Sequence, residues 1–285
     1  MDRRKYMNGS VAALLLGLSG CLGGEDSSEN TENDDSSMSS SDSIGSLYFE
    51  GPQSEEESDH VEFSFSNVGD GTDVYYTWEF LIQPESLSDL DWDDYYTLLE
   101  FDHGEGTGRA YIRIYGDGSV EWDDTLNAHD ETITDEDIIN NNEVQRLTIQ
   151  WGDRDEHRRR VYIDGEIVFD DQESPPIFDM QDGTYYLASD RDGEYGFRGG
   201  IQDVRLWGAS EYKSEEWISD HTNKQLHPRY DDISNLEIYL QFEDDSNEEE
   251  VENIGEGENF ESKIIGAEYR EKFAEVERSN EAEET

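Results

Sequence analysis

The sequence predicts an all-β protein in which two antiparallel sheets pack as a jelly-roll sandwich. Between Ile44 and Tyr269, apolar and polar residues alternate in many short segments, which is the period of a strand with one buried face. Turn sequences that contain glycine separate these segments, and one stretch has the spacing of a helix. Many short strands without helical crossovers are typical of a β-sandwich.

The segment AYIRIYGDGSVEW carries the clearest hairpin pattern. Its alternation places Ile112 and Ile114 on one face of the first strand. The opposite face then carries Tyr111, Arg113 and Tyr115. The letters GDGS predict a type I′ turn between the two strands, because Asp and Gly accept the positive φ that this turn requires.

Three further segments repeat the alternation: RLTIQW (146–151), RRVYIDGEIVF (159–169) and LEIYLQFE (236–243). The apolar residues at every second position are expected to face the core. The second of these segments also turns at an Asp-Gly pair. The helical stretch is SEYKSEEWISDH (210–221), in which Ser214 is the expected N-cap.

The order of the segments along the chain is itself informative. They are SLYFEG…DHVEFSF, YTWEFLIQP, YTLLEF with YIRIYGDGSVEW, QRLTIQWGD…RRRVYIDGEIV, YYLAS…FRGGIQDVRLWGASEYKSEEW and LEIYLQFED…IGAEY. This order resembles that of the concanavalin A-like lectin/glucanase superfamily, in its laminin G-like, pentraxin-like branch. Two positions depart from the family pattern: Gln145 stands where a Trp is usual, and Gln202, followed by Asp203, stands where an acidic residue is usual.

The resemblance implies a domain that binds a carbohydrate or a surface glycoprotein, in adhesion or in organising the cell envelope. Aromatic faces with nearby hydrogen-bonding groups are usual in sugar sites, and Tyr111, Arg113, Tyr115 and Trp122 are the candidates. Further aromatic residues that could extend this set are Trp92, Tyr95 and Tyr96. The alternative is that these rings belong to the core, where large aromatic side chains are common.

The glucanase branch of the same superfamily hydrolyses glycosidic bonds with carboxylates in an E-x-D-x-x-E pattern. The letters EFDHGE would supply Glu100 as nucleophile, Glu105 as acid/base and Asp102 as a modulating carboxylate. Because the stretch runs into the loop sequence GEGTG in a chain rich in acids, we expect a solvated acidic loop and no enzyme. A glycoside hydrolase and a purely structural envelope protein are the two alternatives.

Calcium is common in this superfamily, and no cofactor is required for the expected binding role. Carboxylate oxygens from a loop suit calcium, and DRDGEYG offers Asp190, Asp192 and Glu194 as candidate ligands. A chain with 73 acidic residues contains such clusters by chance, so the sequence alone assigns no metal.

The charge of the chain excludes two classes of partner. With 73 Asp and Glu against 20 Lys and Arg, the formal net charge is −53. Nucleic acids and anionic membrane surfaces both require basic patches, so neither is an expected partner. An acid-rich composition of this kind fits a protein of near-molar salt, where a Debye length of about 3 Å screens the repulsion between carboxylates.

The amino terminus has the parts of an export signal. Arg3, Arg4 and Lys5 precede the apolar run Val11–Leu18, which is too short to span a bilayer, and LSGC follows. LSGC resembles a lipobox, at which the signal is cleaved before a cysteine that becomes lipid-modified, here Cys21. The paired arginines resemble a twin-arginine export signal.

These features divide the chain into four parts. We expect a lipoprotein signal peptide over 1–20, then the lipidated cysteine and an acidic, Ser-rich tether over 21–43. The laminin G-like domain is expected over 44–269 and an acidic tail over 270–285. The expected location is the extracellular face of the cell membrane of a salt-loving archaeon, where the lipid on Cys21 anchors the exported protein.

The anchor can be tested with one substitution. Cys21→Ser removes the thiol that carries the lipid, so the exported protein is expected to move from the membrane fraction to the medium. Fractionation of cells that express either form measures this. Membrane retention of the serine variant would contradict the anchor.

Overall fold

The computed structural model describes most of the chain between residues 45 and 278. The described residues are 45–51, 58–66, 75–91, 93–102, 109–124, 132–152, 159–171, 183–209, 213–226, 235–242, 249–255, 257–273 and 277–278. Contacts divide the chain into Met1–Ser39 and Ser40–Thr285, and all described residues belong to the second unit. The predicted signal peptide, Cys21 and the tether therefore lie outside the described residues.

Within the described part of the chain, strands dominate. The first eight are β1 (Gly45–Glu50), β2 (His60–Ser66), β3 (Tyr75–Pro84), β4 (Tyr95–Asp102), β5 (Arg109–Tyr115), β6 (Val120–Asp124), β7 (Thr132–Ile133) and β8 (Gln145–Gly152). The others are β9 (Arg159–Ile163), β10 (Glu166–Asp171), β11 (Thr184–Leu187), β12 (Arg198–Ala209), β13 (Lys224–Gln225), β14 (Leu236–Gln241), β15 (Glu258–Ile265), β16 (Glu268–Glu271) and β17 (Glu277–Arg278). One α-helix, α1 (Glu215–His221), and one 3-10 turn, Leu87–Asp89, complete the set.

The strands form two large antiparallel sheets. The eight-stranded sheet has the order β10-β9-β8-β3-β12-β1-β16, and β14 pairs with β12 beside β1. The seven-stranded sheet has the order β15-β2-β11-β4-β5-β6-β7. The short strands β13 and β17 pair in parallel with each other. The two sheets pack as a sandwich, so the predicted jelly-roll fold class is confirmed.

Because side chains alternate between the two faces of each strand, the apolar side chains of both sheets pack into one core between them. Leu147, Ile149 and Trp151 are all buried there, as predicted for their segment. Aromatic rings join the two sheets: Tyr185 of the seven-stranded sheet lies 5.7 Å from Trp78 of the eight-stranded sheet, centre to centre. Burial of rings of this size supplies a large share of the hydrophobic stabilisation of the sandwich.

The turn between β5 and β6 differs from the predicted type I′ turn. Gly118 has a φ of 81°, but Asp117 does not have the positive φ that a type I′ turn needs at its first central position. Instead, the Asp117 carboxylate accepts hydrogen bonds from the Ser119 amide at 2.9 Å and the Ser119 hydroxyl at 2.7 Å. The Tyr115 amide also donates to the Ser119 carbonyl at 3.0 Å, so Tyr115 lies opposite Ser119 and three residues, 116–118, form the loop.

The turn between β9 and β10 has the predicted conformation. Asp164 and Gly165 both have positive φ, at 51° and 82°. A Cβ on Gly165 would also lie 2.8 Å from the Thr222 hydroxyl oxygen, so glycine is required by contact as well as by φ. This turn thus packs closely against the chain at the end of α1.

The two departures from the family pattern have structural explanations. The Gln145 side chain accepts from the Asn140 amide at 2.6 Å and donates to the Ile138 carbonyl at 3.2 Å, so it fixes the loop before β8. Gln202 lies in a β-bulge, because the pairing of β12 with β3 shifts register between Ile201 and Asp203. The extra residue moves the acidic side chain one position along the strand.

Asp203 is the centre of a buried ion network on the outer side of the eight-stranded sheet. Arg146 donates to both of its carboxylate oxygens, at 2.7 and 3.0 Å, and Arg205 donates to one of them at 3.1 Å. Glu79 lies 3.3 Å from Arg205 and completes the network. Burial alone would raise the pKa of Asp203, but the two guanidinium groups hold it below its ordinary value.

The same network holds α1 and the segment after it on the sheet. Arg205 donates to the Lys224 carbonyl at 2.6 Å, and Arg146 donates to the Thr222 carbonyl. The helix begins as predicted, with the Ser214 hydroxyl accepting from the Trp217 amide at 3.1 Å. No helix among the described residues is long and apolar enough to cross a membrane.

Two details correct the sequence reading of the carboxyl-terminal segments. Leu236 was expected to share one face with Ile238, Leu240 and Phe242, but it belongs to a separate cluster with Trp207. The reason is a register shift in the pairing of β14 with β12, which changes the side of the sheet that the residue faces. β16 also crosses the expected boundary between residues 269 and 270, because it pairs with β1.

We predict that Asp203→Asn destabilises the fold strongly, because it leaves two buried guanidinium groups without their main counter-ion. The expected loss is about 3 kcal/mol of unfolding free energy, measured by denaturant titration at constant salt. Asp170→Asn is the matched control, since its half-exposed pair with Arg160 at 3.7 Å is worth at most about 1 kcal/mol. Equal losses in the two variants would contradict the role of the network.

Candidate functional site

The candidate site lies on the side of the seven-stranded sheet that faces away from the core. Cross-strand pairing places Glu100, Tyr111 and Asp123 in one row, and Arg113 pairs with Glu121 in the next. We call this surface the outer face. Its side chains on β4, β5 and β6 include Tyr95, Thr97, Glu100, Asp102, Arg109, Tyr111, Arg113, Tyr115, Glu121 and Asp123.

An arginine stacked between tyrosines is the main feature of the outer face. The guanidinium carbon of Arg113 lies 3.6 Å from the ring centre of Tyr111 and 4.2 Å from that of Tyr95. Tyr195 stacks on Tyr95 with 4.6 Å between ring centres, and it is 43% exposed. We call Tyr195, Tyr95, Arg113 and Tyr111 the tyrosine–arginine stack. Such cation–π contacts fix the positions of the rings.

Glu121 anchors this stack from below. Its side chain is 3% exposed, and one of its oxygens lies 3.4 Å from the nearest Arg113 nitrogen. The same oxygen accepts a 2.8 Å hydrogen bond from the Tyr115 hydroxyl. Burial raises the pKa of Tyr115, and the hydrogen bond to the carboxylate raises it further, so the tyrosine remains a donor.

Glu100 is the most deeply buried carboxylate of the outer face, at 1% exposure. Burial raises its pKa to about 7, although Arg109, 3.4 Å away, acts in the opposite direction. Asp102 pairs with Arg191 at 2.9 Å. Glu105, the third member of the sequence pattern, lies outside the described residues, so the expected nucleophile and acid/base pair is not placed.

Trp122 is wrong as a binding candidate. It pairs with Ile112 across β5 and β6, faces the core and is only 2% exposed. A two-residue turn at 117–118 would have set Trp122 opposite Arg113 on the outer face. The observed loop holds three residues, 116–118, so the register shifts by one, and a shift of one residue moves a side chain to the other face.

The other candidate residues lie in different parts of the structure. Tyr111, Arg113 and Tyr115 lie on the outer face as the alternation indicates, each partly buried. Tyr96 is buried in the core, whereas Tyr95 belongs to the stack. Trp92 lies outside the described residues.

The candidate calcium ligands are not arranged as a metal site. Asp190 accepts a 2.6 Å hydrogen bond from the Glu194 amide, so it closes its own loop, and Asp192 lies 3.5 Å from Arg109. Burial raises the pKa of Asp190, which opposes its use as an ionised ligand. Among the residues that the structure describes, no group of three or more His, Cys, Asp or Glu could hold a metal ion.

Sequence reasoning missed Tyr195 and Glu121. The loop that carries Tyr195 lies along β4, where the Thr97 amide donates to the Tyr195 carbonyl at 2.7 Å. This contact joins residues almost a hundred positions apart, and no local pattern signals it. For Glu121 a signal existed, because correct register of the β5–β6 hairpin places it opposite Arg113.

Comparison with known families identifies the domain. A laminin G model, described as concanavalin A-like lectin/glucanases superfamily, matches residues 55–218. The chain belongs to the concanavalin A-like lectin/glucanase superfamily. The expectation drawn from segment order is therefore confirmed for fold and family, and the domain is lectin-like in this sense. No curated protein matches the sequence.

Several solved structures are similar to this chain. A Bacteroides ovatus protein, provisionally described as carbohydrate-binding, matches with a TM-score of 0.53 and 15% identity. The match covers 83% of this chain and 62% of that protein, so this chain spans less than two thirds of its relative. A Limulus polyphemus pentraxin matches with a TM-score of 0.46 and 14% identity, over 63% of this chain and 82% of that one.

A third match is a carbohydrate-binding module of the Ruminococcus gnavus sialidase, solved with α2,3-sialyllactose. Its TM-score is 0.41 at 13% identity, over 63% of this chain and 99% of that one. At these identities the likeness concerns the fold. The chemistry of the outer face therefore has to be argued from the residues of this chain.

The raised pKa of Glu100 predicts a specific dependence of stability on pH. Because the folded-state pKa of about 7 exceeds the ordinary value of 4.5 for this carboxyl group, the folded protein binds the proton more tightly than the unfolded chain does. This contribution is present at low pH and is lost as pH rises towards 7. Glu100→Gln removes it, so the unfolding free energy of the variant relative to wild type is expected to rise from pH 5 to pH 8. A difference that is independent of pH would contradict the assignment.

Proposed function

We propose that the protein is a lipid-anchored surface protein whose lectin-like domain binds a carbohydrate, free or on a surface glycoprotein, without cleaving it. Binding takes place on the outer face of the seven-stranded sheet. The tyrosine–arginine stack is the observation that carries this proposal. Adhesion or organisation of the cell envelope is the role that such binding would serve.

The stack has the two properties that a sugar site needs. Tyr195 is the end ring of the stack and is 43% exposed, so its ring offers flat apolar area for the C–H face of a pyranose. Polar groups lie beside them, since Arg113 and Tyr115 are both held by Glu121. Fixed polar groups next to aromatic surface are the usual composition of small-ligand sites.

Rigidity supports the same proposal. Arg113 is held by two rings and one carboxylate, so little side-chain entropy remains to be lost when a ligand binds. By contrast, α1 and the segment after it lie over the buried ion network of the other sheet. The outer face of the seven-stranded sheet is therefore the surface that we assign to binding.

One observation favours the hydrolytic alternative enough to require a test. Glu100 is a buried carboxyl group with a pKa of about 7, which is the range of a general acid that works near neutral pH. Its nearest groups are Arg109 and the cross-strand neighbours Tyr111 and Tyr186. We assign Glu100 a positioning role towards Arg109, and propose no hydrolytic step.

We predict that Tyr195→Ala and Tyr111→Ala each weaken saccharide binding by about tenfold, which corresponds to the loss of one ring contact. A glycan array followed by calorimetry in molar KCl measures the affinity. Ile167→Ala is the matched control, because Ile167 is 40% exposed on the edge strand of the other sheet and should not affect binding. Undiminished binding in both tyrosine variants would exclude the outer face.

The same preparations separate binding from catalysis. Wild type is expected to bind oligosaccharides and leave them intact, and Glu100→Gln is expected to keep the folded state. Release of reducing ends by wild type, abolished in Glu100→Gln, would establish the glycosidase instead. Absence of saccharide binding across the array would leave the structural envelope role.

A further inference from the structure

The three arginines described on or beside the outer face are all paired with carboxylates. Arg113 lies 3.4 Å from Glu121, and Arg109 lies 3.4 Å from Glu100. Arg191 lies 2.9 Å from Asp102. Arg109 is also 3.5 Å from the Asp192 carboxylate. The positive charge of each guanidinium group is thus already matched within the protein.

A ligand that carries a carboxylate needs a cation to replace the water that it loses on binding. An arginine that already faces a buried carboxylate serves this purpose poorly, because the incoming anion would face the resident carboxylate at close range. This applies most strongly to Arg113, whose two faces are covered by rings and whose edge faces Glu121. A neutral hydroxyl group has no such conflict.

The balance of charge around the site adds to this argument. The carboxyl groups on or beside the outer face outnumber its cations, which are the three arginines and Lys263 on the edge strand β15. The carboxyl groups include Glu62, Glu100, Asp102, Glu121, Asp123, Asp190 and Asp192. Burial is the main cause of the raised pKa of Glu100, and repulsion by the Asp190 carboxylate adds to it. The chain as a whole has a net charge of −53, which repels anions further where salt does not screen it.

We infer that the outer face selects uncharged sugars over carboxylated ones, and that Glu121 determines this selectivity by neutralising Arg113. The inference rests on the proposed function, because it concerns the ligand of the same face. It assigns Glu121 a role beyond anchoring. Removal of its charge is expected to free Arg113 for a ligand carboxylate without moving the guanidinium group out of its stack.

The experiment compares matched saccharides in constant molar KCl. The probes are lactose with sialyllactose, and a glucose oligosaccharide with its glucuronate-terminated counterpart. Wild type is expected to bind a neutral member at least about tenfold more tightly than its carboxylated partner, the size of one unfavourable charged contact. Glu121→Gln keeps the shape and one acceptor, and is expected to raise affinity for the carboxylated member about tenfold.

Two further variants keep the test decisive. Glu100→Gln removes one of the two carboxylates that face Arg109, so it is expected to shift selectivity in the same direction by a smaller factor, even if Glu121→Gln does not fold. Asp170→Asn removes one negative charge from β10 on the other sheet, so it controls for net charge and should leave selectivity unchanged.

The outcomes separate a failure of the proposed function from a failure of the proposed selectivity. Absence of binding to all four probes and to the wider array overturns the proposed function and the inference with it. Binding of the neutral and carboxylated members with equal affinity, or preference for the carboxylated one, overturns the selectivity alone. Wild-type selectivity in both folded glutamine variants overturns the role of the carboxylates.

Discussion

Pairing of arginines with buried carboxylates is the constraint on which both outer surfaces of the sandwich depend. For the fully buried Arg146 and Arg205, loss of the counter-ion would cost several kcal/mol, roughly 3–5 by general experience with buried pairs. On the eight-stranded sheet, Asp203 faces Arg146 and Arg205 at hydrogen-bond distance. On the seven-stranded sheet, Glu121 holds Arg113. The Asp203 network holds α1 on the eight-stranded sheet. The Glu121–Arg113 pair holds the tyrosine–arginine stack on the seven-stranded sheet.

The two arrangements have different consequences for function. The network around Asp203 is closed, since its arginines also donate to the carbonyl groups of Thr222 and Lys224 over the sheet. The arrangement around Arg113 is open on one side, where Tyr195 is 43% exposed. The first serves stability and fixes the chain after the helix. The second presents aromatic and polar groups in a fixed geometry, which is why we assign binding to it.

How much of the structure could be predicted from the sequence depends on how far apart in the chain the interacting residues lie. Alternation predicted the strands and the outward set Tyr111, Arg113 and Tyr115, because it depends on neighbours in the chain. Trp122 was assigned to the wrong face, because the loop contains three residues where two were predicted, and an error of one in the register moves every later side chain of the strand to the other face. Tyr195 could not be predicted at all, since its contact with Tyr95 depends on a loop folded back from a distant part of the chain.

The most direct test of the central claim is to map the binding surface by amide chemical shifts, with the tightest-binding saccharide of the panel added to isotope-labelled protein in molar KCl. The account predicts the largest shifts in Tyr95–Asp102, Arg109–Tyr115 and Val120–Asp124, together with Tyr195. Such a pattern would place the ligand on the outer face of the seven-stranded sheet. Largest shifts in Glu215–His221 or at the edge strand Glu166–Asp171 would contradict it.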